Sequence, residues 1–176
     1  MKLRHLFFAC SGVFVMMFSL LLLVVIVFSD EEDGGGGGNL IYGGVSVSQE
    51  VLAHKPMLEK YAREYGIEEY LNVLLAIIQV ESGGTLEDVM QSSESLGLPP
   101  NSLSTEESIK QGCKYFSELL AAAETKGCDL NSVIQSYNYG GGFLDYVAGR
   151  GKKYTFELAE SFARDKSSGK KVTYTN

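Results

Sequence analysis

The sequence predicts an all-α domain that follows an N-terminal transmembrane helix. Residues 6–28 are almost entirely apolar, and a helix of that length can cross a bilayer. From residue 46 onwards, apolar residues recur at the three- and four-residue spacing that is typical of helices. Capping residues and glycines separate these periodic segments, so we expect several helices joined by turns and by one long loop.

The apolar segment is predicted to be a retained membrane anchor over residues 1–29. Lys2 and Arg4 precede the apolar run and an acidic cluster at 30–33 follows it, which favours an inside N-terminus and an outside remainder. A signal peptide cleaved near residues 27–29 is the alternative, although the run is longer than a usual signal core. We therefore expect a single-pass membrane protein with an extracellular C-terminal domain, or a secreted protein if the segment is cleaved.

Residues 30–44 are predicted to be a flexible linker, because an acidic cluster and five consecutive glycines leave little to bury. The exported part, from residue 30 onwards, carries 13 basic and 22 acidic residues, a net charge of −9. This charge argues against nucleic acid as a partner, since binding to phosphates requires positive groups.

The chain contains three cysteines and two histidines. Cys10 lies in the predicted anchor, and Cys113 and Cys128 could pair outside the cell, which the sequence leaves open. Neither of these two cysteines has a histidine nearby in sequence. Cys–His catalysis and histidine-ligated metal sites therefore have little support, and no metal or organic cofactor is expected.

The helices of the exported domain are predicted in order from residue 46. Ser46 and Gln49 form a potential capping box, and Pro56 either kinks the helix that follows or marks its true beginning. Gly66 ends this first helix. The second helix, residues 68–81, is apolar on all its faces and is therefore expected to be buried.

The second half of the domain is also predicted to be helical. Residues 85–102 show no clear period, and a polar loop of this length is usually functional or disordered. Ser104 begins the next helix with a capping box, and Asp129 and Thr155 cap two later helices. A short helix is expected at residues 143–148.

Glu81 is the most informative side chain in the sequence. It ends the buried helix and stands directly before Ser82 and a pair of glycines. Burial and the negative end of the helix dipole both raise the pKa of a carboxyl group at this place. Such a carboxyl can hold a proton near neutral pH, as a general acid must. The alternative is a glutamate that turns into solvent as the helix ends.

Three separated segments together resemble the motifs of one superfamily. They read E-S-G-G at 81–84, D-V-M-Q-S-S-E-S at 88–95 and S-Y-N-Y-G-G-G at 136–142. In this order they resemble the goose-type lysozymes and lytic transglycosylases. They resemble more closely the lysozyme-like domains of bifunctional cell-wall hydrolases carried by conjugative elements of Gram-positive bacteria. The resemblance covers residues 45–176 and implies a lysozyme-like helical domain there.

The resemblance implies an N-acetylmuramidase that cuts the β-1,4 bond between N-acetylmuramic acid and N-acetylglucosamine in peptidoglycan. Local opening of the wall would let a conjugative secretion apparatus pass. Glu81 matches the general acid, and Asp88 matches a second acidic residue, which we expect to be a solvated, ionised loop carboxylate. The positions that match substrate-binding residues are Gln91, Ser93, Glu94, Tyr137 and Asn138.

Each of these assignments has a purely structural alternative. Asp88 could be an ordinary loop acid, with neighbouring Glu87 as a rival for the second role. Glu94 could brace the loop, Tyr137 could belong to the core, and Asn138 could cap the end of its helix.

Two other functions stay open at this point. A lytic transglycosylase would use one glutamate as acid and then base, and would form an anhydro product. A non-catalytic module would bind the wall or act as a scaffold in a secretion complex. The resemblance also implies further chain, since relatives in this branch often continue into a cysteine peptidase domain. We expect the lysozyme-like domain itself to extend a little beyond Asn176, so the sequence is either a truncated product or a natural short form.

Overall fold

The computed structural model describes residues 40–42 and 45–167. The predicted anchor and most of the predicted linker lie outside the described residues, as do residues 168–176. Within the described ranges, no helix combines the length and the apolar character that crossing a bilayer requires.

The described chain is mostly helical, which confirms the predicted class. Its α-helices are α1 Gln49–Ala53, α2 Lys55–Glu64, α3 Leu71–Glu81, α4 Thr105–Lys126, α5 Leu130–Tyr139, α6 Gly142–Ala148 and α7 Phe156–Lys166. A short 3₁₀ helix, Glu68–Tyr70, leads into α3. A second one, Ser92–Leu96, lies in the loop between α3 and α4, and we call it the serine turn.

Two short strands precede the helices and were not predicted from the sequence. They are β1 Leu40–Tyr42 and β2 Val45–Val47, which pair antiparallel with Leu40 opposite Val47. Strands of three residues are too short to show the alternation by which a strand is recognised. Residues 40–42, assigned from the sequence to a flexible linker, therefore carry regular backbone structure.

The start of the helical region differs from the prediction by two residues. The capping box proposed at Ser46 is wrong, because Ser46 lies in β2. Ser48 is the actual N-cap of α1, and its side chain accepts a hydrogen bond from the backbone N–H of Val51 at 3.3 Å. Pro56 lies in the first turn of α2, so it marks the start of a new helix and not a kink.

The predicted starts of three later helices are confirmed. Ser104 and Glu107 form the reciprocal capping box of α4. Asp129 accepts a hydrogen bond from the N–H of Ser132 at the start of α5, and Thr155 caps α7. These caps fix where α4 and α5 begin.

Helix α3 forms the centre of the main hydrophobic core, as its sequence predicts. Its consecutive residues 73–78 are all buried, and α3 packs against α1, α2 and β2. A helix that is apolar on every face is stable only when neighbours cover all of it. Glu81 is therefore presented at the end of the most firmly packed element of the domain.

A second, aromatic core joins α6 and α7 to the end of α5. Phe143 and Phe162 are its buried centre, with ring centroids 5.2 Å apart in an edge-to-face arrangement. Tyr139, the last residue of α5, stacks on Phe162 at 5.8 Å. This core fixes the C-terminal end of α5, where the third sequence motif lies.

Cys113 and Cys128 are both free thiols in the structure. Cys113 is fully buried in the main core, and burial raises its pKa to about 12. A thiol that stays protonated in this way is a poor nucleophile and is suited to packing.

Candidate active site

Glu81 is half-buried at the C-terminal end of α3. Burial, followed by the negative charges of Glu94 and Asp88, raises the pKa of its carboxyl group to about 7. Among the described residues, no side chain or backbone group donates a hydrogen bond to this carboxyl, so nothing there favours its charged form. The predicted increase in pKa is thus confirmed, and Glu81 can carry a proton at neutral pH.

Ser82 connects the end of α3 to the loop that follows. Its hydroxyl donates a hydrogen bond to the carbonyl of Val89 at 2.7 Å and accepts one from the N–H of Gly84 at 3.1 Å. The serine of the E-S-G-G motif therefore fixes the loop against the helix end that carries Glu81.

Gly84 is required because the backbone of α1 passes directly over it. Its φ is +78°, and a Cβ at this position would lie 2.7 Å from the carbonyl carbon of Glu50 and from the nitrogen of Val51. The ring Nε2 of His54 lies 2.9 Å from the Gly84 carbonyl oxygen. The second glycine of the motif thus lets α1 close against the acid-bearing turn.

Gln79 provides a second connection between α1 and α3. Its side-chain oxygen accepts a hydrogen bond from the backbone N–H of Ser48, the N-cap of α1, at 2.7 Å. The sequence pattern does not indicate these roles of Gln79 and His54, because their partners are about 30 residues away in the chain. Together they make α1 one wall around the end of α3.

Asp88 does not occupy the solvated position that the sequence predicts. Its side chain is fully buried, and its two oxygens accept four hydrogen bonds from within the protein. The donors are the backbone N–H groups of Ser92 (2.9 Å) and Ser93 (3.2 Å) and the hydroxyl groups of Ser93 and of Ser108 (2.6 Å). The expectation was wrong because it treated the loop as open chain, whereas the loop folds around this carboxylate.

Ser108 is a site residue that the sequence analysis missed. It lies in the first turns of α4 and also accepts a hydrogen bond from the N–H of Met90 at 3.0 Å. Gly112, one turn later, allows close packing, since a Cβ there would lie 2.5 Å from the Met90 sulfur. Small residues four apart on the buried face of a helix indicate a close approach, and this spacing could have identified the contact.

Gln91 has a left-handed backbone, with φ 46° and ψ 39°. This conformation is uncommon for a residue other than glycine and costs on the order of 1 kcal/mol. Its side-chain nitrogen donates hydrogen bonds to the Asp88 carbonyl and to the Asn101 side chain, both at 2.8 Å. Gln91 is predicted to bind substrate, and in the structure its amide nitrogen is used within the loop.

The other predicted substrate-binding residues fall into two groups. Ser93 and Tyr137 are buried: the Ser93 hydroxyl accepts from the N–H of Ser102 at 3.0 Å, and the Tyr137 hydroxyl donates to the Met90 carbonyl at 3.1 Å. The prediction that these two side chains contact substrate is therefore corrected: both have a structural role. Glu94 is exposed on the serine turn, and Asn138 is partly exposed in the last turn of α5.

The raised pKa of Glu81 predicts a stability difference that depends on pH. Between about pH 4.5 and 7 the folded chain keeps a proton that the unfolded chain has lost, so the stability of the native chain falls as pH rises through this window. Glu81→Gln has no titrating group at this position, so its stability does not fall for this reason. Its free energy of unfolding relative to the native chain should increase by about 3 kcal/mol between pH 4 and pH 8. Urea denaturation at both pH values tests this, and an equal difference at both would contradict the assignment.

Comparison with known proteins identifies a family to which this chain is similar. The family model described as Lysozyme-like matches residues 48–176. These residues include α1 to α7 and all of the side chains discussed above.

Several curated proteins are similar to this chain. One is the bifunctional muramidase/DL-endopeptidase CwlT of Bacillus subtilis (strain 168), which is 44% identical over 124 residues, 70% of this chain and 37% of that protein. Another is the pneumococcal vaccine antigen A homolog of Streptococcus pyogenes serotype M1, 39% identical over 66% of this chain and 59% of its own length. The chain thus spans less than two thirds of these relatives.

A solved structure is also similar. It is a Staphylococcus aureus subsp. aureus Mu50 protein described as similar to lipoprotein, NLP/P60 family. It aligns with a TM-score of 0.73 and 73% sequence identity, covering 76% of this chain and 45% of the other. At this identity the aligned parts of the two chains share a fold.

Proposed function

The chain belongs to the lysozyme-like family, and from this premise we propose that it cleaves the glycan strands of peptidoglycan as an N-acetylmuramidase. The bond cut would be the β-1,4 linkage between N-acetylmuramic acid and N-acetylglucosamine. The similarity to a protein described as a muramidase, at 44% identity, supports this substrate and bond. The observation that carries the proposal is Glu81, a half-buried carboxyl with a pKa of about 7 at the end of the central helix.

The proposed reaction follows from the protonation state of Glu81. With a pKa of about 7, the carboxyl is protonated in roughly half of the molecules at neutral pH. It gives its proton to the glycosidic oxygen as the bond from that oxygen to the anomeric carbon breaks. The oxocarbenium-like centre that remains is stabilised by nearby negative charge and is then attacked by water.

A lytic transglycosylase is the second candidate function, and one observation favours it. The four hydrogen bonds to Asp88 remove the carboxylate that the sequence analysis assigned to hydrolysis. In a transglycosylase, Glu81 alone would act as acid and then as base, and the 6-hydroxyl of the muramic acid would attack in place of water.

We also propose where the activity is exerted. The predicted anchor at residues 1–29 would hold the domain at the outer face of the cell membrane, with the linker giving it reach to the wall. Local opening of the wall for a conjugative secretion apparatus is the proposed use. The acidic charge of the exported part is consistent with a glycan partner and not with nucleic acid.

Product analysis distinguishes the candidate functions. We expect the purified full-length chain, incubated with Gram-positive peptidoglycan, to release soluble fragments that end in reducing N-acetylmuramic acid, as detected by mass spectrometry. Anhydro-muramic ends, lighter by one water, would favour the transglycosylase. Binding to the wall without release of any fragment would contradict both enzymes and favour a wall-binding or scaffold module.

A further inference from the structure

Most glycoside hydrolases pair the protonated acid with a second carboxylate that can reach the reacting carbon or the attacking water. Our inference rests on the proposed function and concerns which residue supplies this second carboxylate. Three acidic residues lie on the loop after α3, namely Glu87, Asp88 and Glu94. The structure separates them by exposure, by hydrogen bonding and by their effect on Glu81.

Asp88 cannot reach a substrate in this fold. Its side chain has no exposed surface, and both of its oxygens are already occupied by hydrogen-bond donors of the protein. A buried carboxylate with this many donors is costly to disturb, because any donor that is released would be left unpaired. Exposing it to substrate would require the loop to unfold.

The serine turn is constructed around Asp88. The carboxylate accepts hydrogen bonds from the backbone N–H groups of Ser92 and Ser93, which are the first two residues of the turn. On the far side, the Ser95 hydroxyl donates to the Ser92 carbonyl at 2.6 Å and accepts from the side chain of Gln111 in α4 at 2.9 Å. The residue between Ser93 and Ser95 is therefore held by fixed backbone on both sides.

Glu94 is that residue, and its side chain is exposed. No hydrogen bond or ion pair within residues 45–167 involves its carboxylate, which leaves both oxygens available. Its charge raises the pKa of Glu81 more than the charge of Asp88 does, so Glu94 lies within electrostatic reach of the acid. Glu87 is also exposed, yet it is not among the charges that act on Glu81.

We propose that Glu94 is the second catalytic carboxylate of the cleft and that Asp88 is the positioning residue that holds the serine turn in place. As Glu81 gives its proton to the leaving oxygen, water forms a bond to the anomeric carbon and passes a proton to Glu94. Glu94 then returns that proton to solvent and Glu81 regains one, so both groups are restored. The negative charge of Glu94 also stabilises the positive charge that develops on the sugar ring.

Glu94→Gln tests the catalytic assignment directly. Its kcat should fall by about 10²-fold or more, because the variant cannot accept the proton of water. KM and the melting temperature should change little, since the side chain is exposed and makes no hydrogen bond in the described structure. Glu87→Gln tests the rival, and Glu118→Gln, an exposed glutamate on α4, is the charge-matched control; both should keep kcat within about twofold of the native value.

The pH dependence of activity tests whether the charge of Glu94 acts on Glu81. The groups whose charges reach Glu81 are Glu94, on the serine turn, and Asp88; Tyr137, on α5, faces it as a neutral phenol because burial raises its pKa. The native chain should lose activity as pH rises through about 7, where Glu81 loses its proton. In Glu94→Gln a like charge is removed, so this loss should shift to lower pH.

Asp88→Ala and Glu94→Ala separate positioning from catalysis. Asp88→Ala should lower both the melting temperature and the activity, and added azide or formate should not restore the activity. Glu94→Ala should keep its melting temperature and regain activity with these small anions, which can enter the space that its exposed carboxylate leaves. Rescue of Asp88→Ala instead, native kcat in Glu94→Gln, or a loss in Glu87→Gln alone would overturn the proposal. If the native chain itself releases no product, the proposed function fails together with it.

Discussion

Glu81→Gln should reduce glycan cleavage by about 10²- to 10⁴-fold, the range that a general acid contributes. The amide has the shape of the carboxylic acid but has no proton to give to the leaving oxygen. Binding to intact peptidoglycan should persist, since the substitution changes no backbone and removes no hydrogen bond within residues 45–167. Release of soluble muropeptides and sedimentation with insoluble wall measure the two properties on the same preparation.

Glu118→Gln is the matched control for this experiment. It makes the same chemical change at an exposed position on α4, where only a surface ion pair with Lys114 at 3.8 Å is lost. Its activity should be close to that of the native chain. Native rates of cleavage in Glu81→Gln would remove the acid assignment, whereas loss of wall binding would mean that Glu81 holds the glycan and does not protonate it.

Gly84→Ala should destabilise the domain by about 3 kcal/mol. The methyl group meets two costs: a φ of +78°, which disfavours any side chain by about 1 kcal/mol, and overlap with the backbone of Glu50 and Val51 at 2.7 Å. Backbone atoms cannot turn aside as the end of a flexible side chain can. Relief of the overlap must therefore move α1 away from the end of α3, and activity should fall with stability.

Gly66→Ala isolates the first of these costs, the positive φ. Gly66 has a φ of +66°, and a Cβ there would have no neighbour within 4 Å. This variant should lose only about 1 kcal/mol in denaturant unfolding and should keep full activity. Equal losses in the two variants would show that the contact between α1 and Gly84 contributes nothing beyond the backbone conformation.

The sequence was sufficient to predict the features that depend on local pattern. The buried helix α3, the position of Glu81 at its end and the increase in the pKa of that carboxyl all follow from a continuous apolar run that ends before two glycines. The caps at Ser104 and Asp129 follow from side chains that bond to backbone groups three residues away. In these cases the interacting groups are neighbours in the chain.

The features that were not predicted depend on contacts between distant residues. Asp88 looked solvated because its loop is polar, and only the fold brings the hydroxyl of Ser108, twenty residues away, within 2.6 Å. Tyr137 was placed against substrate because its motif matches, whereas its register on α5 directs it into the core. Ser46 and Ser48 are equally good caps by composition, and the pairing of β2 with β1 decides between them.

The contacts from Ser48 and His54 to the end of α3 change how the minimal unit of this domain should be defined. By sequence, α1 precedes the first motif by some 30 residues. In space α1 packs against the end of α3 and the turn after it, through the hydrogen bond from Ser48 to Gln79, the contact of His54 with Gly84, and the close approach at Glu50. A chain shortened to begin at α2 would keep most of the core residues and would lose these contacts with the turn that follows Glu81.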